Sequence, residues 1–347
     1  MKIVAVLTVK NEGAFLIDWL AHHRAAGFTD ILVLSNDCSD GTDAILDRLQ
    51  DMGQLTHLRN PGPYDAKGVQ FRAMHIATHH QIVTQADWIM ALDIDEFVNI
   101  HTGDRTVGGL LAALPEATAI TLTWRLFGNA GIARYADAPV TDTFTRCAPQ
   151  IIHWPWRAAM FKTLFRNDGT YGALGVHRPR APRADRLDNA RWFDGAGREL
   201  DEDFKTRRIF SNYGQPNFAL AQLNHYPLGA AESFVLKADR GRAVHSADQL
   251  GLDYWVERNF NSDQDTSIAG LASATHAIRE ELKADAILAH LHQKAVLWRQ
   301  KRFEQLLQLE PNRALFTRLL MAATSQPVRP EDARYIIGFA TGGRDNV

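Results

Sequence analysis

Residues 3–12 read Ile-Val-Ala-Val-Leu-Thr-Val-Lys-Asn-Glu, a run of apolar and mostly β-branched residues that stops abruptly at three polar ones. An unbroken run of this kind predicts a strand buried on both faces of a mostly parallel sheet. Working outward, Ala14 to Ala26 carries Phe15, Ile17, Trp19 and Leu20 at helical spacing and ends at Gly27, so the opening unit is strand, loop, helix. A second apolar run, Ile31 to Leu34, leads into Ser-Asn-Asp-Cys-Ser-Asp-Gly-Thr at 35–42, a cluster of turn and cap residues ahead of a helix over Asp43 to Gln50. Leu55 to Leu58 reads as a short third strand. Asn60-Pro-Gly-Pro then forces an irregular connection before a helix over Gln70 to His80. Trp88 to Leu92 is a fourth strand, terminated by Asp93-Ile94-Asp95-Glu96. Alternating strands and helices with right-handed crossovers imply a doubly wound α/β sheet, Rossmann-like, with helices on both faces. Its ligand crevice lies outside the carboxyl ends of the strands, where every one of these polar clusters falls.

Beyond about Ile120 the pattern loosens into short strands (120–124, 158–165), aromatic segments and turns such as Asp194-Gly-Ala-Gly. After Ser246 it becomes long helical periodicity, over His276 to Leu309 and Arg313 to Thr324, with Pro311, Pro327 and Pro330 as breaks. The expected division is a catalytic-type domain over 1–245, in halves 1–118 and 119–245, and a helical extension over 246–347.

Composition narrows the function. The 38 basic and 40 acidic residues nearly cancel, so no broad field marks a nucleic-acid partner. Cys38 and Cys147 are too few for a disulfide framework or a cysteine-rich zinc site, which fits a reducing compartment. The first apolar run ends in Lys-Asn-Glu without a cleavage site, and no stretch of about eighteen apolar residues is free of charge. The expectation is a cytoplasmic protein without a transmembrane segment, with peripheral association at a membrane left open.

The chemistry is concentrated at Asp93 and Asp95. Carboxylates at i and i+2 on a strand end project to one side and can share a hard cation. The tripeptide alone is more often a solvated loop or a helix cap, but the strand ahead of it and two earlier strands with polar ends favour a site.

Together with Leu-Thr-Val-Lys-Asn-Glu at 7–12, the 35–42 turn, Leu-Asp-Ile-Asp-Glu-Phe at 92–97, and His225-Tyr226 followed by Lys237 and Arg240-Gly241, this resembles the inverting GT-A glycosyltransferases of the family 2 type, close to family 92. The resemblance spans residues 3 to 241. It implies a nucleotide-diphosphate-sugar donor, Mn²⁺ or Mg²⁺, and transfer of a sugar to an acceptor hydroxyl on a sugar, a lipid-linked or another acceptor, in polysaccharide or glycoconjugate assembly. It also implies a nucleotide-binding half (1–118) and an acceptor-side half (119–245). By position, Thr8, Asn11, Glu12, Asn36, Asp37, Lys67, Asp93, Lys237 and Arg240 would contact the donor, and Asp93, Asp95 and His225 the metal. Glu96 would be a structural carboxylate. The catalytic base stays open among His177, Asp194 and Asp203. Trp154, Trp156, Trp124 and Trp192 are candidate sugar platforms or core residues, with Trp124 expected in the core. Two other readings remain: a sugar nucleotidyltransferase, disfavoured because no Gly-rich phosphate loop follows the first strand, and a non-catalytic sugar- or nucleotide-binding protein on the same scaffold.

Overall fold

A computed structural model describes residues 1–64, 68–240, 250–322 and 324–340. Its strands are β1 (Ile3–Val9), β2 (Asp30–Ser35), β3 (Thr56–Arg59), β4 (Trp88–Leu92), β5 (Glu96–Ile100), β6 (Ala119–Leu126), β7 (Arg146–Cys147), β8 (Phe161–Arg166), β9 (Tyr171–Ala173), β10 (Arg180–Pro182), β11 (Trp192–Asp194), β12 (Ala221–His225) and β13 (Asp263–Gln264). The central sheet runs β3-β2-β1-β4-β8-β6-β12-β5, with β11 added to β6. Strands β1 to β4 pair in parallel, as their buried runs predict. Two strands depart from that pattern: β8 enters antiparallel between β4 and β6, and β5 closes the far edge antiparallel to β12. Asp93, Ile94 and Asp95 alone connect β4 to β5. Three residues reach only about 10 Å, so the sheet curls to bring its middle and its edge together at this turn.

Burial on both faces is visible residue by residue. Ile3, Ala5, Leu7 and Val9 pack into a core with the helices Leu16–Ala25 and Thr42–Asp51, whereas Val4 and Val6 pack with Ala73, Met74 and Ala77 of the helix Val69–Thr78. The period-two alternation of a strand thus feeds two apolar layers at once.

The expected helical run over 276–309 is two helices, Ala272–Lys283 and Ala286–Leu306. Asp285 divides them, because its side chain accepts a hydrogen bond from the Leu288 amide as an N-cap and also pairs with Arg48. Pro311 does not break a helix. It occupies the first turn of Glu310–Met321, where a missing N–H costs nothing. The helix Ala286–Leu306 packs on the residue 13–15 turn, with Gly13 giving the space: a Cβ there would lie 2.9 Å from the Ala295 Cβ. Phe303, Leu306 and Leu319 form a further core with Phe234 and Trp255. Among the described residues, no helix is long and apolar enough to cross a membrane.

Candidate active site

At the carboxyl ends of β1, β2 and β4 lies a cleft of about 250 Å³. Thr8, Glu12, Asn36, Asp93, Asp95, His225, Lys237 and Arg240, widely separated in sequence, all line it. Strand ends supply Thr8, Asn36, Asp93 and His225, and the helix Ala231–Arg240 supplies Lys237 and Arg240 from its last turns.

The charges around the cleft are matched in pairs. Asp93 accepts from Lys162 Nζ at 2.8 Å and from Gln70 Nε2 at 2.8 Å. Asp95 accepts from Lys237 Nζ at 2.7 Å, and Glu12 bonds Arg240. Lys10 stays exposed on the rim. Burial pushes the Asp95 carboxyl up, but Lys237 and then His225 outweigh it and hold the group well below the usual carboxylate range. Burial alone would lower the Lys237 ammonium, and Asp95 reverses that, so both are ionised at neutral pH.

Glu96 has the structural role expected of it. It is fully buried, accepts from the Asp93 amide at 2.9 Å and from Trp124 Nε1 at 2.6 Å, and lies 3.4 Å from Lys162 Nζ. Burial raises its pKa, with the neighbouring Asp93 and Asp95 acting in the same sense and Lys162 against. Trp19, on the helix Leu16–Ala25, donates its Nε1 hydrogen to the carbonyls of Asp93 (3.1 Å) and Glu96 (3.0 Å), fixing the turn from behind.

Asp93 and Asp95, expected to grip one cation, are each paired with a lysine in this structure. Their side chains turn to different lysines, because β8 brings Lys162 to one and the helix Ala231–Arg240 brings Lys237 to the other. Among the described residues, no three His, Cys, Asp or Glu side chains converge as ligands. Asp95 Oδ1 and His225 Nε2, however, lie 3.7 Å apart. That is too long for a hydrogen bond and short enough for both to reach one ion, and an oxygen–nitrogen pair suits a divalent cation that takes its other ligands from water and phosphate. The residues therefore fit a Mn²⁺ or Mg²⁺ held by two side chains.

Other sequence candidates fall elsewhere. Asn11, in a left-handed conformation, accepts from the Ser39 amide at 2.7 Å and lines the adjoining cavity instead of the cleft. Asp37 accepts from Tyr64 Oη at 2.7 Å and does not line the cleft. Lys67 lies outside the described residues. Asp194 is buried and bonded to Arg198 and to the amides of Ala196 and Arg198, closing its own turn. Asp203 pairs with Arg207 on the short helix Glu202–Thr206. Neither lines the cleft. His177 is beside it, its ring 5.6 Å from that of Trp124. Trp124 is only partly core: it packs against the buried residues and also forms a cleft wall, its ring centroid 4.2 Å from that of His225 and tilted by 43°. Trp192 is core, and Trp156 is exposed against Phe210.

A curled, doubly wound sheet with its polar cleft at the strand ends and helices on both faces has the form of a GT-A glycosyltransferase domain. Residues 4–186, just over half of the chain, match the model of glycosyltransferase family 92, and the chain belongs to that family. No curated protein matches it. Similar solved structures include S. aureus TarS 1-349 in complex with UDP, 12% identical over 89% of this chain and 92% of that one, with a TM-score of 0.34. Glucosyl-3-phosphoglycerate synthase from Mycobacterium tuberculosis in complex with Mn²⁺, UDP and glucosyl-3-phosphoglycerate is 14% identical over 49% of this chain and 58% of that one, with a TM-score of 0.28. Mannosyl-3-phosphoglycerate synthase from Rubrobacter xylanophilus is 15% identical over 49% and 55%, with a TM-score of 0.31. The chain spans 28% of the longer TarS structure.

Proposed function

We propose that this chain moves a sugar from a nucleotide-diphosphate-sugar to an acceptor hydroxyl, with inversion at the anomeric carbon. The observation that carries the reading is the cleft itself, where Asp95, His225, Lys237 and Arg240 converge beside Thr8 and Asn36. Thr8 and Asn36 bound the end that takes the nucleoside. Lys237 and Arg240 face the diphosphate and stabilise the negative charge that grows on it as the sugar departs. Each of these cations already has a carboxylate partner, so a diphosphate adds charge that the protein's own pairs leave uncompensated. Asp95 and His225 would hold a Mn²⁺ or Mg²⁺ that compensates this charge as a Lewis acid.

The acceptor oxygen bonds to the anomeric carbon, the bond from that carbon to the diphosphate oxygen breaks, and the electron pair leaves with the nucleoside diphosphate. The acceptor's proton goes to a base on the opposite face of the sugar. Of the three candidates His177 is the one beside the cleft. Its Nδ1 donates to the Phe161 carbonyl at 3.0 Å, which leaves Nε2 as an acceptor. Burial, and then Lys162, push its pKa down, so the ring is neutral at pH 7.

A donor-by-acceptor screen that measures nucleoside diphosphate release, with anomeric configuration read by NMR, tests the reading. Asp95→Asn should lower kcat/KM by about 10²-fold or more and abolish Mn²⁺ binding in calorimetry. Turnover close to that of the parent, or a product of retained configuration, would overturn it.

A further inference from the structure

A second cavity, of about 120 Å³, adjoins the cleft, and Glu12, Ile94, Asp95, Lys237 and Arg240 line both. Its far wall is different in kind. Phe15, Tyr135, Phe144 and Trp298 make it aromatic, and its volume, open on the cleft side, approaches the roughly 150 Å³ of an apolar cavity that holds a benzene ring. Arg299 also lines it. That side chain is 7% exposed and lies between the rings of Phe15 (4.7 Å) and Tyr135 (4.6 Å). Among the described residues its Nε and Nη2 have no hydrogen-bond partner. The nearby carboxylates are engaged elsewhere: Asp40 accepts from the amides of Gly13 and Thr42, and Glu232 from that of Tyr135. A buried guanidinium with two unpaired donors and no carboxylate partner is costly, and an anion in the cavity that Arg299 lines would offset its charge.

We infer that this cavity receives the acceptor, as a ring-sized apolar group carrying a carboxylate or a phosphate, with the anion on Arg299 and the hydroxyl at the wall shared with the cleft. The inference rests on the transferase reading, because only a donor in the cleft makes the shared wall a place of reaction.

Calorimetry on the full chain tests it with (4-hydroxyphenyl)acetate, phenyl phosphate and the neutral (4-hydroxyphenyl)acetamide, and with UDP as a report on the cleft. At least one anion should bind tenfold or more tighter than the amide, and which anion does so distinguishes a carboxylate from a phosphate acceptor. Arg299→Met should erase that preference and leave UDP binding unchanged. Ala138→Trp, at an exposed position on the cavity rim, should block all three probes without disturbing a buried residue, which covers the case of Arg299→Met failing to fold. Equal binding of anions and amide, or an anion preference that survives Arg299→Met, overturns the inference. If UDP binds and no probe does, this inference alone fails; if UDP itself does not bind, the transferase reading fails with it.

Discussion

Lys162 is a fully buried cation between two carboxylates, Asp93 at 2.8 Å and Glu96 at 3.4 Å. Burial alone would strip its proton, and the two carboxylates reverse that effect, Asp93 the more strongly. Removing the cation leaves Asp93 without the ammonium 2.8 Å from it and takes a buried donor away from Glu96, whose carboxyl is already pushed up to about 8 and stays protonated. Breaking a buried pair from one side costs about 3–5 kcal/mol. Lys162→Met should therefore lower the unfolding free energy by about that amount in urea titrations, and a loss under about 1 kcal/mol would show that the pair contributes little. Part of this was legible beforehand. Lys162 is the one charge in the apolar stretch 158–165, which is what a strand with a single functional or paired residue looks like. Its partners were not legible, because they depend on an antiparallel strand entering a sheet whose other inner strands are parallel. Arg299 was hidden for a related reason: on a helix read only by its periodicity, a buried arginine looks like any solvated one.

The helix Leu16–Ala25 supports the acidic turn through Trp19 and, one turn later, through two buried histidines. His22 Nε2 donates to the Val98 carbonyl at 2.7 Å, and His23 Nδ1 donates to the Trp19 carbonyl at 2.9 Å. Burial holds His22 down to about 4 and His23 well below its usual value, so both are neutral in the fold. The unfolded chain binds a proton at each near pH 6.5, which the folded chain refuses until lower pH. The stability from their neutral forms is thus complete above about pH 6.5 and is lost as pH falls through the interval down to the folded value. For His22 the slope is about 1.4 kcal/mol per pH unit across that interval. His22→Gln keeps a donor for Val98 and has no proton to gain, so its melting temperature should fall less between pH 7 and 5 than the parent's. Parallel curves for the two proteins would refute this. The strand held by this helix, β5, was missed in the sequence because Asp93 to Glu96 read as the end of an element. Phe97 and Val98 beyond it were too short a run to announce a strand that pairs only with residues more than a hundred positions away.

At the scale of the molecule, the helices Ala272–Lys283 and Ala286–Leu306 pack on the opening helices of the chain, and Glu310–Met321 packs on Ala231–Arg240. Arg48 pairs with Asp285, Asp18 with Arg279 at 2.6 Å, and Ala295 rests on Gly13. Gly13→Ala forces a methyl against Ala295 and against the Ile45 Cδ1, 3.1 Å away. Overpacking of this kind costs about 1–3 kcal/mol, and because Gly13 has no left-handed backbone to preserve, sterics alone decide the result. The melting temperature should fall, and pairing the change with Ala295→Gly should restore it; no rescue would mean that the contact is not the cause. The helical character of this region was plain from periodicity, but its docking partner was not, since neither Gly13 nor Ala295 carries any mark of a contact made across nearly three hundred residues.

The closeness of Ala295 to Gly13 also bears on how the protein is made. Thr8, Val9 and Glu12 line the cleft, whereas Trp298 and Arg299 emerge from the ribosome almost three hundred residues after them. A nascent chain stalled before them would carry the strands of the cleft with one flank open, exposing Phe15 and Tyr135 to water until the helix Ala286–Leu306 arrives to cover them.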